Sequence, residues 1–98
     1  MIGLVRVGLI SRDFREGLYV VYILMCGDGS LYTGITNDLV KRIKAHNLGT
    51  ASKYTRARRP LKVVYSEGVV NKSAALKREF QIKSLSRAQK LEIISHSG

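Results

Sequence analysis

The chain holds one cysteine, one proline, no tryptophan and two histidines among its 98 residues. A lone cysteine excludes an internal disulfide framework and fits a reducing, cytoplasmic setting. So few Cys and His residues exclude a structural zinc site, which draws on about four such ligands. No apolar run approaches the roughly 20 residues that a membrane-spanning helix requires. The apolar start MIGLVRVGLI is interrupted by Arg6 and is followed by no small-residue cleavage site, so it does not read as a signal peptide. Acids are the scarce charged class. Seven Asp and Glu stand against seventeen Lys and Arg, for a net charge of +10. That imbalance points to a polyanionic partner, of which nucleic acid is the commonest. An anionic membrane surface is the competing reading, but the positive residues are spread over several segments rather than set on one amphipathic helix.

What is present organises around residues 19–46, YVVYILMCGDGSLYTGITNDLVKRIKAH. The run YVVYILM is β-branched and aromatic, as a half-buried strand requires. Cys26-Gly27-Asp28-Gly29-Ser30 is rich in turn formers, and LYTGIT reads as the return strand. Tyr22 and Tyr32 are ten residues apart, so the two rings share a face provided no bulge in the turn resets the register. Gly34 weakens a strand interior and marks a bulge or the close approach of another backbone or a ligand. Thr36 or Asn37 caps the helix that follows, with Leu39, Ile43 and Val40 as its apolar stripe. Gly49 is placed for a left-handed C-cap. Arg42 and His46 are i and i+4 on that helix and leave it from one face.

Residues 1–17 read as an N-terminal extension, an edge strand from Ile2 to Ile10 or a partly ordered leader, and residues 18–98 as a single domain. Residues 49–60, GTASKYTRARRP, read as a loop without hydrophobic period. There Lys53, Arg56, Arg58 and Arg59 surround Tyr54, which suits a phosphate backbone and a stacked base, or simply a solvated basic loop. A third strand runs over Leu61–Tyr65, with Glu67 and Gly68 starting the exit. Ser73 caps a helix over Ala74–Lys83 that turns Leu76, Phe80 and Ile82 or Ala75 to the core. Ser86 caps a last helix over Arg87–Ile94 with Leu91 and Ile94 inward.

Phosphodiester hydrolysis needs an activated water, positive charge on the developing phosphorane and help for the leaving oxygen. Arg42 can supply the charge, and His46 can act as a base near neutrality or serve only as a cation at a helix end. A phenol is a weak base unless a neighbouring cation lowers its pKa, which leaves Tyr22 and Tyr32 open to either role. Glu79 lies mid-helix among Lys77, Arg78 and Lys83. Spacing alone favours an i,i+4 ion pair with Lys83 over a metal ligand.

The phrases YVVYILMCGDGSLYTGITNDLVKRIKAHN, SKYTRARRPLKVVY and ALKREFQIKSLSRAQK resemble the GIY-YIG nuclease domain, and more closely its small stand-alone bacterial members, the YhbQ-like or UPF0213 group. The likeness spans about Leu18 to Ile94. It implies an α+β fold, a three-stranded antiparallel sheet flanked by helices, and a metal-dependent endonuclease that cuts DNA by attack of water. Carried over by position, Tyr22 and Tyr32 are the signature tyrosines, one of which assists deprotonation of water. Arg42 would steady the phosphate, His46 would lie near the site and Glu79 would hold one Mg²⁺ or Mn²⁺. Val20, Val21 and Thr33 depart from the signature, and Ile35 stands where repair-type members carry a lysine. The DNA implied is branched or damaged. With no DNA-binding or partner domain attached, the resemblance implies weak, structure-selective or partner-dependent cutting. The alternative is a non-catalytic nucleic-acid-binding module that retains the fold.

Overall fold

The computed structural model describes residues 18–96, and the extension expected over residues 1–17 lies outside them. Strand β1 (Tyr19–Met25) is the central strand of a three-stranded antiparallel sheet, flanked by β2 (Leu31–Thr36) and β3 (Lys62–Val69) in the order β2-β1-β3. The hairpin closes through Gly29, whose φ of 85° a side chain would resist. Four helices complete the described residues: α1 (Leu39–Leu48), α2 (Lys53–Arg56), α3 (Lys72–Lys83) and α4 (Arg87–His96). The expected α+β architecture, a three-stranded antiparallel sheet flanked by helices, is the one observed.

Alternation along β1 sends its side chains to two covered faces, which is why the run is apolar throughout. Val21 and Ile23 point to one face and form the core with Ala75 and Ile82 of α3, backed by Leu31, Ile35, Val64 and Ile94. Val20, Tyr22 and Leu24 are buried on the other.

Several boundaries differ from those the local sequence suggests. The cap of α1 is Asp38, whose Oδ1 accepts from the Lys41 N–H at 3.1 Å, and the Thr36 hydroxyl instead accepts from the Asp38 N–H at 3.0 Å. Asn71 rather than Ser73 caps α3. Strand β3 does not end at Tyr65, because β1 offers partners as far as Val69 and pairing carries the strand through Glu67 and Gly68. The segment expected as loop holds α2, capped by the Ser52 hydroxyl. Along α3 the inward positions are Ala75 and Ile82, while Phe80 is 74% and Leu76 47% exposed. The small Ala75 lets the helix approach the sheet closely, which turns the bulkier pair away. Val40 and Leu91 likewise face outward, against expectation. Gly49 takes the left-handed cap with φ 84°, and Ser86 and Gln89 cap α4 reciprocally.

Candidate active site

The β1–β2 register runs unbroken and sets Tyr22 opposite Gly34 and Leu24 opposite Tyr32. Tyr32 is two residues from Gly34, so the two phenols leave the sheet from one face, with ring centroids 6.5 Å apart. The irregularity lies on the other side of β1, between Ile23 and Leu24 in the pairing with β3. Gly34 answers to the close approach its position suggested. A Cβ there would stand 2.6 Å from the Tyr22 hydroxyl oxygen and 2.7 Å from Cζ. The absent side chain is the seat of the Tyr22 ring. Gly34→Ala should therefore cost about 1–3 kcal/mol by overpacking, read from urea denaturation, and should displace the Tyr22 phenol.

Helix α1 delivers His46, its one buried residue, onto the same face, where the ring meets both phenols. The imidazole is 1% exposed. Its Nε2 lies 2.9 Å from the Tyr22 hydroxyl and its Nδ1 2.9 Å from the Thr55 hydroxyl of α2. The ring also meets Tyr22 and Tyr32 edge-on, at centroid distances of 5.8 and 5.3 Å. Burial, reinforced by the charge of Arg42, holds the His46 pKa below its ordinary value. A depressed imidazole pKa means that the unfolded chain binds the proton first. Stability should thus be full above pH 6.5 and fall as the pH drops below it. Urea unfolding between pH 7 and 5.5 should show this slope, and His46→Asn should flatten it.

Tyr22 is buried as well, and burial pushes its phenol pKa far above the usual range. Tyr32 and Glu79 push in the same direction, while the Arg42 guanidinium pulls it down. Arg42 itself is exposed, beside a groove of about 250 Å³ lined by Thr36, Asn37, Asp38, Lys41, Arg42 and Ala45. No hydrogen bond among the described residues uses the Tyr32 hydroxyl, although its ring stacks on Tyr54 at 6.0 Å. Glu79 occupies the stripe of α3 between Ala75 and Ile82. Its side chain is 19% exposed and pairs with Lys83 at 3.2 Å, the contact that spacing alone favoured.

The basic segment is more internally engaged than its composition suggests. Arg58 lies 3.8 Å over the Tyr54 ring, pairs with Asp28 at 3.0 Å and donates to the Tyr54 carbonyl. Arg59 donates to the carbonyls of Arg56 and Asn47. Tyr54, expected to stack a base, stacks on Tyr32 and carries Arg58 over its ring while staying 39% exposed, and Arg58 and Arg59 fasten the segment to the hairpin and to α1. Lys53 and Arg56 are exposed, and no hydrogen bond or ion pair among the described residues uses their side chains. Thr55, which touches His46, escaped the sequence reading. Its one available signal is the Ser52-x-x-Thr55 spacing of a helix cap, which says nothing of what the hydroxyl meets.

The two tyrosines lie on the sheet, the Arg–His pair on α1 and the glutamate on α3. Residues 18–92 match the GIY-YIG catalytic domain, and the chain belongs to that family. Within it, the chain falls among the UPF0213 proteins. It is 61% identical over 75 residues to the UPF0213 protein CPE1444 of Clostridium perfringens, covering 76% of this chain and 81% of that one. It is 53% identical over 77 residues to SSP2268 of Staphylococcus saprophyticus, covering 79% and 94%. The solution structure of the UPF0213 protein BH0048 of Bacillus halodurans superposes with a TM-score of 0.55 at 43% identity, over 83% of this chain and 86% of that one. Among the described residues no helix is long and apolar enough to cross a membrane.

Proposed function

We propose that the protein is a divalent-metal-dependent endonuclease that hydrolyses DNA phosphodiester bonds, with Tyr22, His46, Arg42, Tyr32 and Glu79 as its site. The observation that carries this reading is the 2.9 Å hydrogen bond between the Tyr22 hydroxyl and His46 Nε2, both buried. A buried phenol with a raised pKa makes a poor phenolate at rest but a strong base at the instant its own proton leaves. Water that gives a proton to the Tyr22 oxygen while Tyr22 passes its proton to Nε2 ends as hydroxide and imidazolium, with no free phenolate. Arg42 disfavours that imidazolium in the empty site. A phosphodiester beside Arg42 offsets its charge and so removes that penalty. Tyr32, with its hydroxyl unengaged, is placed to bond the incoming water or a phosphate oxygen.

Glu79 is the residue that would hold the metal. Among the described residues no group of three or more His, Cys, Asp or Glu is arranged around a common point. A single shielded carboxylate fits Mg²⁺ or Mn²⁺, which keep several waters and take their remaining oxygens from a substrate phosphate, and does not fit zinc. When bound, such an ion supplies Lewis-acid help to the leaving oxygen. Lys83, exposed and flexible, would release the carboxylate and remain as a phosphate contact. The backbone path runs along the groove beside Arg42 and Lys41 toward Lys53 and Arg56, and the arginines at 58 and 59 act mainly by holding that surface in shape.

The pairing of Glu79 with Lys83 favours one other reading, a DNA-binding module that does not cut. Labelled branched, nicked and duplex DNA incubated with the protein and Mn²⁺ or Mg²⁺ decides between them. Metal-dependent scission supports the nuclease, and salt-sensitive binding without scission supports the module.

A further inference from the structure

We propose that Thr55 is a positioning residue of this site: its buried hydroxyl, oriented by the Ser52 carbonyl, fixes His46 as the Nδ1–H tautomer and so presents Nε2 as the acceptor for the Tyr22 proton. The argument is a count of protons along a closed chain of contacts. Thr55 is 0% exposed, so its hydroxyl cannot turn to water. Its Oγ1 lies 3.3 Å from the Ser52 carbonyl oxygen and 2.9 Å from His46 Nδ1. A carbonyl only accepts, so the Thr55 proton goes to Ser52, and Nδ1 must bring its own proton to the Thr55 lone pair. Neutral imidazole has one N–H, which leaves Nε2 bare and facing the Tyr22 hydroxyl at 2.9 Å. The reverse direction, with Thr55 donating to Nδ1, leaves the Thr55–Ser52 contact without a proton and turns the Tyr22 proton away from the only base it touches. Doubly protonated imidazole would need both neighbours as acceptors and is opposed by burial and by Arg42.

The backbone keeps Thr55 where this requires. The Thr55 N–H donates to the Ser52 hydroxyl at 3.1 Å, so the same serine fixes both the main chain and, through its carbonyl, the side-chain proton. The Arg58 and Arg59 contacts described above pin α2 to the hairpin and to α1. Among the described residues no buried side-chain nitrogen or oxygen is left unpartnered, as a fully committed proton order demands.

The effect on the tautomer stands on geometry alone. Its effect on turnover rests on the Tyr22–His46 relay proposed above, and the test separates the two. Long-range proton–nitrogen NMR of the full chain, labelled at histidine, should show His46 protonated at Nδ1 and bare at Nε2. His96, exposed, serves as the internal reference. In Thr55→Val this preference should be lost, and in Thr55→Ser it should return. In the cleavage assay, Thr55→Val should lower kcat about ten- to a hundredfold with KM for DNA unchanged, and Thr55→Ser should restore it. A proton on Nε2 of the native chain overturns the proposal, and that spectrum decides even if the valine variant fails to fold. An unaltered tautomer in a folded Thr55→Val also overturns it. If the tautomer behaves as stated but the native chain cuts no DNA under any metal, the positioning role stands and the nuclease reading falls.

Discussion

Replacing Glu79 with glutamine should abolish metal-supported cleavage, by about a thousandfold or more, while affinity for DNA is kept or rises slightly. The physical case is the scarcity of acids. Glu79 is the acid whose charge reaches Tyr22, and its side chain is shielded enough for an ion there to act in a low dielectric. A thousandfold is about 4 kcal/mol of transition-state stabilisation, within what one Lewis-acidic ion supplies. The glutamine keeps the shape and removes the anionic ligand, and the lost pair with Lys83 is exposed enough to cost well under about 1 kcal/mol. Single-turnover cleavage in Mn²⁺, beside a binding isotherm in its absence, reads both quantities. Cleavage at the native rate in Glu79→Gln would remove Glu79 from the chemistry and with it the metal proposed at that position.

The second large effect is an asymmetry between the tyrosines. Tyr22→Phe should reduce turnover about 10²- to 10⁴-fold, the range for loss of a general acid–base group. Tyr32→Phe should cost about tenfold, since it removes a hydroxyl that no described residue engages but keeps the ring that stacks on Tyr54. The contrast follows from the 2.9 Å bond to His46, which gives the proton of Tyr22 somewhere to go. Tyr22→Phe also leaves the buried His46 Nε2 without its donor, at about 1–3 kcal/mol, so turnover must be compared where both variants are fully folded by circular dichroism. If Tyr32→Phe proves the more damaging, the proton leaves through Tyr32 and the His46 contact is structural.

Much of this protein is legible along the chain. The alternation and β-branching of YVVYILM, the turn formers after Met25 and the helical spacing of Arg42 and His46 define the hairpin and the helix that follows it. Gly34 announces a close approach, though not of what. The helix faces are less legible. In α3 both Ala75/Ile82 and Leu76/Phe80 lie at helical spacing, and only the distance of closest approach to the sheet selects the pair with the smaller residue. The basic segment misleads for a similar reason. Four cations and a tyrosine read the same whether they face a phosphate or one another, and Arg58 turns out to be matched to Asp28, thirty residues away.

Composition, period and spacing settled the hairpin, the helix that follows it and the identity of the chemical groups, because these depend on neighbours no more than a few residues apart. Only the folded chain decided which group touches which: Tyr22 over Gly34, His46 between Tyr22 and Thr55, Tyr54 under Arg58. Those pairings join residues that are distant in sequence, and their partners are chosen by register and by the packing of helices on the sheet, neither of which leaves a local trace. The direction of the proton chain through Thr55 belongs to this second kind, since a threonine is the same letter whether it meets water or an imidazole.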